Sequence, residues 1–410
     1  MADILVLGAG MVGISSALAL QERGHHVTVL DRREPGMETS YGNAGIIQAE
    51  AAEPYALPRD LATLTRYVLG LSNDVSWTLK GVVTQAPALI RYFHNSSPKR
   101  LTAIAQNYSQ LISAACKDHA PLIEAVHADN LITRQGLWYM YRHERDLEKA
   151  ALDLERMNHA YGVQSRVLDG QACRTEEPAL THTPAGAIHW QQSWSCSNPA
   201  QLTRQYAELF TQRGGTVATC QVQQLVKSTR GWRVLTSEGE FTSEYVVVAL
   251  GPWSPALLKP LGYRISMVYK RGYHGHYKAP VPLQRPILDV DNGVVAATMS
   301  KGLRVSTGAA LVSREDHANP QQLVRGVSGL SDLLEIGPRI KEPQWFGTRP
   351  CLPDMLPLVG PVPNHHGLFL NFGHGHQGFT LGPTTARILA SSIDSRLSDL
   401  GAALSPASRL

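Results

Sequence analysis

The first thirty residues run apolar stretch, glycine turn, apolar stretch and second apolar run. Ile4-Leu5-Val6-Leu7 reads as a buried strand and Gly8-Ala9-Gly10-Met11-Val12-Gly13 as a tight turn. A helix follows from about residue 11 to 23, stopped by Gly24, and His26-Val27-Thr28-Val29-Leu30 is a second strand ending at Asp31. Further on, Leu101, Ile104, Leu111, Ile112, Ala115, Leu122 and Ile123 recur at helical spacing and predict a long helix over 99–127. Residues 131–141 predict a strand kinked at Gly136, and 146–161 a helix. Asn198 and Pro199 are a helix start, closed after Arg213 by Gly214-Gly215. Three strand-like runs follow at 216–226, 232–236 and 245–250, then a strand at 368–372 and a helix from about Pro383 to Ser392.

This alternation predicts an α/β (α+β) chain: a Rossmann-like domain that is interrupted and resumes, with an inserted mixed-sheet domain for substrate. The expected division gives 1–60, 160–262 and 335–410 to the nucleotide domain and 61–159 and 263–334 to the substrate domain. There is no internal repeat. Residues 61–93 carry Leu64, Tyr67, Val68, Leu71, Trp77, Leu79, Val82, Val83, Leu89, Ile90 and Tyr92 among few charges. They read as a pair of helices covering the active-site domain, with a peripheral membrane or partner contact as the alternative.

The glycine turn binds a dinucleotide for reasons each residue supplies. Gly8 permits the turn, Gly10 lets the backbone approach the phosphates, and Gly13 lets the helix pack closely on the strand. The helix N-terminus, carrying Met11 and Val12, directs free N–H groups and a positive dipole end at the pyrophosphate. Asp31, 18 positions beyond Gly13, suits a ribose 2′-hydroxyl and repels a 2′-phosphate, which argues against NADP.

Composition narrows the classes. The 410 residues are 43% hydrophobic and 18% charged with a formal net charge of +4, a globular balance without the basic stripe of a nucleic-acid binder. Cys116, Cys173, Cys196, Cys220 and Cys351 show no C-x-x-C pair and no zinc spacing, so reduced thiols in a cytoplasmic protein are expected, peripheral at the inner face of a membrane if 61–93 docks there. No apolar stretch reaches the length of a membrane span.

Near the C-terminus stand Gly347-Thr348-Arg349-Pro350-Cys351-Leu352-Pro353-Asp354 and Gly373-His374-Gly375-His376-Gln377-Gly378. Glycines before a helix let backbone pass close to a flat ligand, and the helix dipole favours negative charge there, as on a reduced flavin. With Glu38-Thr39-Ser40-Tyr41-Gly42-Asn43-Ala44-Gly45 and Ala249-Leu250-Gly251-Pro252-Trp253-Ser254, these motifs occur in the order in which they resemble the FAD-dependent D-amino acid dehydrogenases of bacteria. Those belong to the glycine oxidase and D-amino acid oxidase group, and the likeness runs from residue 3 to about 395.

The resemblance implies noncovalent FAD. Gly8, Gly10 and Gly13 would hold the pyrophosphate, Asp31 the adenosine ribose, and Arg32 the adenine end. Thr39, Ser40, Asn43, Ala44 and Gly45 would follow the flavin, Val222 would meet adenine, and Ala249, Gly251 and Trp253 would flank the pyrophosphate turn. Gly373, His374, Gly375, His376, Gln377, Gly378, Phe379 and Thr380 would border the isoalloxazine. Arg349 would grip the substrate carboxylate through its two parallel N–H donors, with Arg271 a second contact and Tyr273 and His274 in the pocket. His374 reads as a flavin-side hydrogen bonder; the His374-x-His376 pair lacks a third ligand and implies no metal.

The implied reaction is oxidation of a D-amino acid, with electrons passed to a quinone or another acceptor. An oxidase using oxygen, a glycine- or sarcosine-type or cyclic-imino-acid enzyme of the same fold, and a non-catalytic flavin-binding subunit are the alternatives. The scheme requires no acid-base side chain. Asn292 stands where relatives often carry a substrate-facing tyrosine, and Ile46 and Ile47 fill a loop that is polar in some relatives, so a reshaped pocket is expected. Cys351 is not at the position where some relatives attach flavin.

Overall fold

A computed structural model describes residues 1–394 and 396–410. The nucleotide sheet has six strands in the order Thr216–Thr219, His26–Asp31, Asp3–Leu7, Tyr245–Val248, Leu368–Phe372, Leu358–Pro361. The first five are parallel and the last antiparallel. Asp3–Leu7 is central, and its side chains from Ile4 onward are buried, as a strand covered on both faces requires. The helix Met11–Glu22 begins where the glycine turn predicts, and Gly24 (φ +83°) follows its end.

Two glycines explain the closeness of that helix to the sheet. Gly8 has φ +113°, and a Cβ at Gly13 would lie 1.8 Å from the Gly8 carbonyl oxygen. Any side chain at 13 would push the helix off the strand.

The second sheet has ten strands. Its path is Val75–Trp77, Ala309–Leu311, Val268–Tyr277, Gly302–Thr307, Val294–Met299, Ile287–Asp289, Leu137–Tyr141, Gly186–Trp190, Ser165–Asp169, with Trp345–Cys351 paired to Val268–Tyr277. Val222–Ser228, Gly231–Thr236 and Gly239–Ser243 form a separate antiparallel sheet. The α/β class holds, but the expected domain bounds are displaced. Ser165–Asp169 and Gly186–Trp190 pair in the large sheet although they lie inside 160–262. Strand Trp345–Cys351 joins it from beyond 335. Helix Pro98–Ala125, assigned to the substrate domain, buries Tyr108, Leu111, Ile112, Ala115 and Ile123 in one core with Ile4, Val6 and Ile14. Element type follows local pattern, whereas the layer a helix joins is set by which apolar face it finds.

Four boundaries also differ. The run at 131–141 divides at Gly136 into Ile132–Thr133 and Leu137–Tyr141, on different sheets. The run at 216–226 divides after Thr219 in the same way. The expected helix at 146–161 is two, Glu144–Ala151 and Leu154–Tyr161. The C-terminal helix runs Gly378–Ile393, so Pro383 lies inside it rather than at its start. Proline lacks the N–H that would reach the carbonyl four residues back. Here His119 Nε2 approaches that carbonyl, Phe379 O, at 2.9 Å, with the Tyr206 hydroxyl on Nδ1 at 3.2 Å. A buried imidazole thus replaces the missing backbone donor.

Candidate active site

Between the two sheets lies a cavity of about 510 Å³. One end is the glycine turn: Gly8, Gly10, Met11, Val12, Asp31 and Arg32 line it, facing Val222, Ala249, Gly251 and Trp253. Asp31 Oδ2 accepts from Ala9 N (2.6 Å) and Oδ1 from Arg33 N (3.0 Å). Each oxygen keeps a lone pair for a ligand hydroxyl. Burial raises the Asp31 pKa, and the two backbone N–H bonds oppose that rise. Arg32 lies over the Trp253 ring at 4.5 Å and pairs with Glu38 at 2.6 Å.

The middle wall is the 39–44 loop, with Thr39, Ser40, Asn43 and Ala44 on the cavity. Ser40 Oγ accepts from Met11 N at 3.0 Å, tying the loop to the helix start. Arg304, which the sequence reading missed, secures it from the other sheet: one guanidinium nitrogen donates to Tyr41 O (2.9 Å) and Asn43 O (2.6 Å). Its Nε donates to His276 Nε2 at 3.0 Å, and His276 Nδ1 bonds Glu342 at 2.6 Å. His274, His276 and Glu342 bring three ligand atoms within 4.8 Å of one another, and both ring nitrogens of His276 are already engaged, Nδ1 by Glu342 and Nε2 by Arg304.

Arg349 stands at the other end, on strand Trp345–Cys351, among cavity residues. Its two terminal nitrogens donate to Gly308 O (2.6 Å) and Thr307 O (2.9 Å). The guanidinium lies flat against Gly272, where a Cβ would come within 2.8 Å of it. No carboxylate pairs with it among the described residues, so a half-buried cation faces the cavity with donors to spare. Burial lowers its pKa. Tyr273 adjoins the cavity, but its side chain shares the face of Arg271, packed on Phe346 with its hydroxyl accepting from Asn319 N at 3.2 Å.

Gly373, His374, Gly375, His376, Gly378 and Phe379 complete the cavity. His374 Nε2 bonds Thr385 Oγ1 at 2.9 Å, and burial pushes its pKa down to about 3. His376 packs on Tyr55 and is held well below its ordinary value by burial, with the Arg349 and Lys270 charges adding to it.

Several expected contacts do not reach the cavity. Arg271 is 2% exposed, and its guanidinium donates to the carbonyls of Ser313, Arg314, Asp316 and His317. It braces a loop from the opposite face of the strand and does not meet a substrate, because strand neighbours point to opposite sides. His274 stacks on Trp345 at 4.5 Å outside the cavity lining. Gly13 and Gly45 serve packing, Gly45 against Cys196 O. Gln377 and Thr380 lie one layer back and hold Gln48, at 2.7 and 3.3 Å. Asn292 bonds Asp289 at 2.9 Å instead of lining the site. Tyr139, on the neighbouring strand, lines the wall together with Leu137 and Leu288. Gln48, Tyr55, Tyr139 and Trp345 are cavity residues that the sequence reading missed. The two-residue period Leu137-x-Tyr139 was the available signal for one of them.

The site fits FAD on its own geometry: a bare glycine floor at a helix start, an acid at the ribose position, flat backbone walls and a free cation at the far end. Over residues 3–392 the sequence matches the family described as FAD dependent oxidoreductase, DAO. The chain belongs to that family. It is 31% identical to a D-amino acid dehydrogenase of Chromohalobacter salexigens over 96% of each chain. It is 30% identical to one of Cereibacter sphaeroides, over 98% of this chain and 93% of that one. Its fold is similar to glycine oxidase from Geobacillus kaustophilus (TM-score 0.72, 22% identity, covering 100% and 99% of the two chains). It is similar also to iminodiacetate oxidase from Chelativorans sp. (TM-score 0.71, 19% identity, 97% and 96%). The resemblance read from five ordered motifs is therefore borne out, and this flavoenzyme is an FAD-dependent oxidoreductase. No helix among its described residues is long and apolar enough to cross a membrane.

Proposed function

We propose that this flavoenzyme oxidises the α-C–N bond of a D-amino acid. The observation that carries the reading is Arg349: a half-buried guanidinium without a carboxylate partner among the described residues, on the wall of a cavity whose other end is a nucleotide-binding turn. A planar fork of donors matches a carboxylate in position and orientation. The names of its full-length relatives support the same substrate class. Noncovalent FAD, held by Gly8, Gly10, Asp31, the 39–44 loop and the 373–379 segment, supplies a hydride acceptor.

Arg349 binds the carboxylate and so orients the α-hydrogen. The apolar wall of Leu137, Leu288 and Val295 receives the side chain and excludes water. The α-carbon loses hydride, and the resulting imine is released to hydrolyse to a keto acid and ammonia unless it is cyclic.

Electrons leave to a quinone or another external acceptor. Helices Leu61–Val68 and Leu79–Asn95 support a membrane-surface source of that acceptor. Leu61, Val68, Leu71, Leu79, Val83 and Ile90, in these helices and the turn between them, are each 62–80% exposed, apolar side chains suited to an interfacial contact. Flotation with phospholipid vesicles tests this contact, and dye reduction compared with peroxide formation tests the acceptor.

The deciding experiment is an anaerobic screen of D-, L-, N-methyl and cyclic amino acids, including glycine and D-proline, followed by bleaching of the flavin absorbance. Reduction by D-amino acids is expected. A flavin bleached only by L-isomers, or by no amino acid, overturns the reading.

A further inference from the structure

A buried carboxyl sits beside the reacting end of the cavity and has no part in the scheme above. Glu50 is 4% exposed. Its Oε2 accepts from Ser193 Oγ at 2.5 Å, and its Oε1 accepts from Gln48 Nε2 and from the Tyr139 hydroxyl at 3.4 Å. Ser193 Oγ itself accepts from Ala49 N at 2.9 Å, so its single proton is committed to Glu50. No Lys or Arg forms an ion pair with Glu50 among the described residues. Three donors converge on an acid that no cation neutralises, an arrangement that shelters an acceptor rather than a salt bridge.

The cavity side of this cluster is built from two tyrosine hydroxyls and an amide. Tyr139, Tyr55 and Gln48 all line the cavity that Arg349 lines, and Gln48 Nε2 reaches the Tyr55 hydroxyl at 3.0 Å. The other titratable groups around Glu50 are Tyr108 and Cys116 from helix Pro98–Ala125, with His376 and Arg349 beyond Tyr55. Tyr108 and Cys116 are held neutral by burial, and so is His376.

We propose that Glu50 accepts the proton of the substrate ammonium group, reached through the Tyr139 hydroxyl. The proposal rests on the amine-oxidation reading above. An amino acid arrives as a zwitterion, and its carboxylate is held by Arg349. One N–H bond of the ammonium breaks as its proton passes to the Tyr139 oxygen, while the Tyr139 proton passes to Glu50 Oε1. The amine is left neutral, with the lone pair that drives hydride from the α-carbon, and no electron changes hands in this step. Burial makes Glu50 a stronger base than an exposed carboxylate, and the hydrogen bonds from Ser193, Gln48 and Tyr139 oppose that rise by favouring the ionised form that accepts the proton. Glu50 does not line the cavity; it acts through Tyr139 and serves as a positioning residue and proton store.

The test uses holoenzyme: wild type, Glu50→Gln and Tyr139→Phe. Anaerobic bleaching by the best amino acid is followed from pH 6 to 10. The Glu50→Gln rate at pH 7 is expected to fall on the order of 100-fold and to recover roughly tenfold per pH unit as the amine deprotonates in solution, against a flatter wild-type profile. Calorimetry at pH 7 adds a readout free of turnover. 2-Methylalanine carries both charges but no α-hydrogen, and propionate carries only the carboxylate. Glu50→Gln is expected to weaken the first about tenfold and to leave the second unchanged. Tyr139→Phe breaks the same path while leaving Ser193 and Gln48 on Glu50, and both results are required of it should Glu50→Gln fail to hold flavin. A wild-type pH profile with wild-type affinity for 2-methylalanine overturns the proposal alone. A wild-type flavin that no amino acid bleaches overturns the amine-oxidation reading and this step with it.

Discussion

Replacing Arg349 by lysine keeps the charge and removes the fork, which makes it a sharper probe than alanine. The guanidinium has five N–H donors, and the structure commits two nitrogens to Gly308 O and Thr307 O. The remaining donors face the cavity and can take both oxygens of a carboxylate. An ammonium at the same place, on a shorter reach, retains one such bond. The difference is one charge-assisted hydrogen bond, about 1.5–3 kcal/mol, or roughly 10- to 150-fold in kcat/KM. One of the two carbonyls also loses its donor, at a cost of about 1–3 kcal/mol in stability. The assay is anaerobic flavin reduction across substrate concentration, with flavin content read from the absorbance ratio of the purified protein. Flavin content should match wild type, because Arg349 stands apart from the glycine turn. Unchanged catalytic efficiency, or loss of flavin in proportion to activity, refutes the carboxylate role.

Three other outcomes follow from particular contacts. Gly13→Ala places a Cβ 1.8 Å from Gly8 O, so the helix must shift from the strand; the purified variant is expected to lose most of its flavin, measured by absorbance against protein. His119→Leu leaves the Phe379 carbonyl without its donor and should lower stability by about 1–3 kcal/mol, read from the urea midpoint, with the kinetics of the folded fraction unaltered. Buried His119 and His374 are depressed to about 4 and about 3 from an ordinary 6.5. The unfolded chain binds those protons near pH 6.5 while the folded chain refuses them, so stability is full above pH 6.5 and is lost as pH falls toward 4. The slope reaches about 1.4 kcal/mol per pH unit for each histidine. Melting temperatures measured between pH 7 and 4 should drop, and His374→Asn should flatten that drop; an unchanged slope would place the proton uptake elsewhere.

Local chemistry was legible in the residue order. The turn at Gly8 to Gly13, the acid at 31, the helix capped by Asn198 and the arginine between Gly347 and Pro350 all follow from backbone rules that act over a few residues. Such rules depend on steric limits and hydrogen-bond donors that a short segment carries with it. Partnership across the fold depended on which apolar faces met. Helix Pro98–Ala125 joined the nucleotide core because its Leu111 and Ile112 stripe found the glycine-turn helix and sheet, and Pro383 sits inside a helix because His119, 264 positions earlier, supplies the donor. Arg271 and Arg349 occupy paired strands in an antiparallel register, yet one braces a loop and the other faces the cavity. Their residue type is the same; the strand pleat decides which side each serves. Glu50 was silent in the chain for the same reason: a carboxyl acquires its role only when Ser193 and Tyr139, from two distant segments, close around it beside its neighbour Gln48.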